Sequence, residues 1–148
     1  MNAGRILFLA AAAASCLVLQ TPRTLAQSFD GKWTGTISCA KLSFTKGALK
    51  VAMDMTVSGT SATYAREVLN ADGSRIVGTE EGTGKVAADG KLDLTATWKS
   101  ADERPRYTYT ASYSGTLSGK SGAIRGTQVW SFDGKTENRS CTIALKRG

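Results

Sequence analysis

The chain has 148 residues, 41% of them hydrophobic, which suffices for one buried core in a single domain. It carries a formal net charge of +7 and no histidine, so Ser-His-Asp and Cys-His catalytic pairs and histidine-ligated metals are excluded. The cationic side chains are scattered (Lys46, Lys50, Arg66, Arg75, Lys85, Lys91, Lys99, Arg104) rather than gathered in one block, which argues against nucleic acid as a partner.

Residues 1–26 have the pattern of a secretory signal peptide. Arg5 supplies the positive start, residues 6–19 are apolar and uncharged, and Thr24-Leu25-Ala26 offers small residues where a signal peptidase reads them. The apolar run is shorter than the roughly 20 residues a membrane-spanning helix needs. Cleavage after Ala26 is expected, leaving one domain over residues 27–148, periplasmic or secreted and not membrane-spanning. The alanine-rich run points to bacterial export. A lipoprotein anchored through Cys16 is the second reading; the apolar run continues past that cysteine, and no leucine stands at the usual upstream place.

Beyond residue 26 turn signals recur: Asp30-Gly31, Asn70-Ala71-Asp72-Gly73, Asp89-Gly90, Gly119-Lys120-Ser121-Gly122 and Asp133-Gly134. Between them, period-two alternation predicts eight strands, over 32–40, 48–58, 62–69, 74–87, 91–99, 106–118, 123–132 and 138–147. In the second, Leu49, Val51, Met53, Met55 and Val57 alternate with Lys50, Ala52, Asp54 and Thr56. In the sixth, Tyr107, Tyr109, Ala111 and Tyr113 share one face. Eight such strands in meander order predict an all-β, eight-stranded antiparallel up-and-down β-barrel, with a β-sandwich as the alternative. Cys39 shares the face of Trp33 and Ile37, and Cys141 that of Ile143 and Leu145. The first and last strands are neighbours in a closed barrel, so a Cys39–Cys141 disulfide is predicted, in an oxidising compartment.

The first strand opens with Gly31-Lys32-Trp33, and the last bears Arg139 and Arg147 at the parity of Cys141. This plan resembles the calycin-type small barrels: lipocalins, fatty-acid-binding proteins and avidins. Those folds begin with Gly-x-Trp and often place an arginine of the last strand across that tryptophan, a part Arg139 or Arg147 could take. No stretch matches the biotin contacts of avidins. FDGKWTGTISC and NRSCTIALKR also look like small exported bacterial proteins, a likeness that implies a fold and a compartment and no activity.

Catalytic constellations are thin. Asp30, Asp72, Asp89 and Asp133 sit by turn glycines, which explains them. Glu80 and Glu81 are adjacent, so they point to opposite faces and cannot serve one site. Glu80 shares the parity of Ile76; a partly exposed strand position is its simplest reading, and a buried acid or the partner of an inward arginine the other. Residues 78–85, GTEEGTGK, lack the phosphate-loop spacing and a following helix. No metal and no cofactor are expected. The inward parity gathers Trp33, Trp98, Tyr107, Tyr109, Tyr113, Trp130 and Arg139 among very small residues. Such a lining suits one small hydrophobic or aromatic ligand, or else simply fills the barrel. The expected function is therefore non-enzymatic ligand binding. The alternatives are an envelope protein-binding module, such as a hydrolase inhibitor acting through the charged 99–106 loop, and a lipocalin-like isomerase or cyclase using Glu80 or a tyrosine.

Overall fold

A computed structural model describes residues 28–70, 74–102 and 107–148; the leader expected over residues 1–26 and part of the charged 99–106 loop lie outside them. Eight strands follow in order: β1 (Gly31–Cys39), β2 (Leu49–Ser58), β3 (Ser61–Leu69), β4 (Ile76–Val86), β5 (Lys91–Ser100), β6 (Tyr107–Ser118), β7 (Ser121–Phe132) and β8 (Lys135–Arg147). Each pairs antiparallel with the next, and β8 returns to β1 to close a barrel, which excludes the sandwich. Along β3, Ala62, Tyr64, Arg66 and Val68 point inward while Ser61, Thr63, Ala65 and Glu67 face water, the period of two that a half-buried strand requires.

Tight turns set the strand ends. Ser58 faces Ser61, Ser118 faces Ser121, and Phe132 faces Lys135 across two-residue loops. Gly59, Gly119, Asp133 and Gly134 supply the positive φ that such loops demand. For this reason β7 and β8 begin at Ser121 and Lys135, earlier than the predicted 123 and 138.

A bulge corrects the expected parity of β4. Val68 pairs with Gly78 and Leu69 with Ile76, so Val77 is an extra residue. Ile76 is thereby turned out, 44% exposed, while Val77 is buried. Glu80 faces inward with Gly78 and Gly82, not with Ile76.

One end of the barrel is plugged and apolar. Trp33, Ile37, Met55, Leu92, Leu94, Leu117, Ile124, Ile143 and Leu145 are buried together there, each stabilising the fold by about 1.5–3 kcal/mol. Phe29 folds into this end, and its carbonyl accepts a hydrogen bond from Trp33 Nε1 at 2.9 Å. Arg147 lies opposite Trp33 in the β1–β8 ladder and donates to the Ser28 and Asp30 carbonyls; Arg139 lies elsewhere, over Trp130. Cys39 and Cys141 are direct partners in the same ladder and form the disulfide, 102 residues apart in sequence. Such a closure contributes up to about 4–5 kcal/mol in the chain-entropy account, and it is compatible with an oxidising extracellular or periplasmic location. Among the described residues, no helix is long and apolar enough to cross a membrane.

The other end is split and covered. β2 and β3 pair only from Met55–Tyr64 to Ser58–Ser61, whereas β1 and β2 pair over nine residues. Residues 49–54 and 65–69 therefore part from one another. The segment between β1 and β2 folds across this end: Leu42 is buried, and the Phe44 ring lies 4.7 Å from Phe132 and 5.7 Å from Trp130. Ser43 pins it, donating from its backbone N–H (2.9 Å) and hydroxyl (2.6 Å) to the Glu137 carboxylate.

Candidate functional site

Between the plugged end and the covered end lies a buried polar layer. Glu80, on β4, is fully inaccessible to solvent, which corrects the expectation of a partly exposed residue. Its carboxylate accepts hydrogen bonds from Tyr64 Oη (2.6 Å), Tyr109 Oη (2.6 Å) and Tyr113 Oη (3.0 Å), and it forms an ion pair with Arg66. Gln128 extends the layer: its Nε2 donates to Tyr113 Oη at 2.8 Å, and its Oε1 accepts from Trp130 Nε1 (3.1 Å) and Arg139 Nε (2.7 Å). Strand parity builds this arrangement, because Tyr64 and Arg66, Tyr109 and Tyr113, and Gln128 and Trp130 are each two or four residues apart on one inward face. Gly82 makes room for it, since a Cβ there would lie 2.0 Å from Tyr64 Cε1.

The electrostatics follow from burial around one anion. Tyr64, Tyr109 and Tyr113 are all raised above the ordinary tyrosine value, first by desolvation and then by the Glu80 charge. Burial pulls the Arg66 guanidinium down, but Glu80 and the adjoining tyrosines outweigh it and hold Arg66 above its usual value. Arg139 pairs with no carboxylate among the described residues, and burial, which outweighs the pull of the tyrosines and of Glu80, lowers it.

Above this layer the rings of Trp98, Tyr107, Tyr109 and Trp130 stack, with centroids 5.0 Å apart for Trp98–Tyr107 and 4.2 Å for Tyr109–Trp130. A cavity of about 350 Å³ opens beside them, where β2 and β3 part. Phe44, Tyr107 and Trp130 form its aromatic wall, and Arg66 and Arg139 its polar floor. Two buried side-chain nitrogens, Arg66 Nε and Trp98 Nε1, have no hydrogen-bond partner among the described residues.

Of the residues singled out from sequence as ligand-lining, Tyr107, Trp130 and Arg139 border the cavity. Trp98 and Tyr109 stand in the ring stack, and Tyr113 in the polar layer. Trp33 is at the plugged end, packed in the apolar core. The sequence reading did not single out Arg66, whose inward parity with Tyr64 and Val68 was the available signal, or Phe44, which belongs to a segment without periodicity. Chemically, Glu80 is a buried anchor that orients three hydroxyls and Arg66. Arg66 and Arg139 offer a guest charged donors from the cavity floor. Comparison with protein-family models, curated proteins and solved structures found no match.

Proposed function

We propose that this protein binds a small molecule with an apolar or aromatic body, without transforming it, in the cavity at the split end of the barrel. The observation that carries this reading is the wall itself: three aromatic rings and two buried guanidiniums converge on one cavity of about 350 Å³, within the size range of small-ligand sites. The split between β2 and β3 gives a guest a way in, with Leu49, Val51 and Val68 alongside it. The disulfide supports a site of action outside the reducing cytoplasm, in keeping with a leader over residues 1–26 and a periplasmic or secreted protein.

Native mass spectrometry of the protein isolated from its own host under non-denaturing conditions tests this. A reproducible small-molecule adduct, lost on denaturation and lost in Trp130→Ala, is the expected result. A bare polypeptide mass in repeated preparations would overturn the reading and leave a barrel filled by its own side chains.

A further inference from the structure

The interior charges do not balance. Among the described residues, the buried charged side chains are Arg66, Glu80 and Arg139: two cations and one anion. Glu80 is committed to Arg66 through the ion pair. Arg139 is 6% exposed, forms no ion pair among the described residues, and uses only Nε in a hydrogen bond, to the neutral amide of Gln128. Its guanidinium lies over the Trp130 ring, 5.0 Å from the centroid, and its terminal nitrogens have no hydrogen-bond partner among the described residues. Arg66 Nε is buried and has no hydrogen-bond partner among the described residues, and both arginines line the same cavity. The other charges there, Lys50 and Glu67, are of opposite sign and exposed at the rim, so they leave the inner surplus in place.

A buried cation without a counter-ion is costly, and a cavity wall is where a guest can supply one. A planar carboxylate matches the fork of a guanidinium, and Arg139 is held for it by Gln128 behind and Trp130 beneath. Building on the ligand-binding reading above, we infer that the guest is a small aromatic monocarboxylate, its carboxylate on Arg139 beside Arg66 and its ring against Phe44, Tyr107 and Trp130. The aromatic body is favoured over a long alkyl chain because the wall is ring-lined and the cavity is only about 350 Å³.

Isothermal titration calorimetry of the purified protein with 2-naphthoate and its neutral isostere 2-naphthamide, at neutral pH, reads the charge directly. The expected result is about 30-fold tighter binding of the acid, the effect of one or two charge-assisted hydrogen bonds. In Arg139→Gln that ratio should collapse to below about threefold, with Arg139→Lys between the two. Equal binding of acid and amide by the unaltered protein would overturn the anionic guest while leaving small-ligand binding intact. A ratio unchanged in Arg139→Gln would overturn the assignment to Arg139. Binding of neither probe would count against both readings. The comparison of acid and amide on the unaltered protein needs no variant to fold.

Discussion

Glu80 accepts three tyrosine hydroxyls and pairs with Arg66 in a place water does not reach. Charges in such a place are poor sources of net stability, yet removing one partner is expensive, because the other is left alone in low dielectric. Glu80→Gln keeps the shape, removes the charge and leaves Arg66 without its counter-ion. It should cost about 3–5 kcal/mol in urea unfolding, and adding Arg66→Met should return part of that loss. A cost within about 1 kcal/mol for Glu80→Gln alone would mean the pair is not the anchor described here. The role assigned to Arg139 differs in kind: it has a stacking partner and one neutral acceptor, so its charge remains available to a guest.

At the scale of the elements, the strands were legible because each buries one face, and period two survives any sequence detail. The Cys39–Cys141 pair was legible for the same reason, since closure in meander order fixes which strands meet. The bulge at Val77 was not, because an inserted residue leaves no mark in an apolar run of Ile76 and Val77. The burial of Glu80 and Arg66 was obscured by their charge, although the register sets them directly opposite one another on β3 and β4. The covering segment between β1 and β2 carries no period, so the seating of Leu42 and Phe44 depends on tertiary contacts alone. Inside β4, Gly78 and Gly82 are spaces for the rings of Trp98 and Tyr64. A Cβ on Gly82 would meet Tyr64 Cε1 at 2.0 Å, and that ring is held by its hydroxyl on Glu80. Gly82→Ala should therefore destabilise by about 1–3 kcal/mol. Gly47→Ala, with nothing within 4 Å of the new Cβ, should stay within about 0.5 kcal/mol. Equal midpoints for the two variants in thermal unfolding would show that the Tyr64 ring yields freely.

For the whole molecule, the polar layer makes stability a function of pH on the alkaline side. The chain has four tyrosines; Tyr64, Tyr109 and Tyr113 donate to Glu80, and Tyr107 is partly exposed near the cavity. In the folded protein the first three are raised well above the ordinary value, first by burial and next by Glu80; Tyr107 is raised too, again by burial. Below about pH 10, the ordinary tyrosine value, folded and unfolded chains hold the same phenolic protons, and the stabilisation is fully present. Above it the unfolded chain releases protons that the folded chain keeps. Stability then falls as pH rises, by about 4 kcal/mol per pH unit once all three buried sites contribute. A domain of ordinary stability, about 5–15 kcal/mol, should unfold cooperatively within a few pH units above 10. Tyrosinate absorbance recorded alongside far-ultraviolet circular dichroism checks this. Tyr107 should ionise first with the ellipticity unchanged, and the other three together with its loss. If all four ionised near pH 10 while the ellipticity persisted, the three hydroxyls would be open to solvent, and the buried layer that holds Arg66 beneath the cavity would not exist in solution.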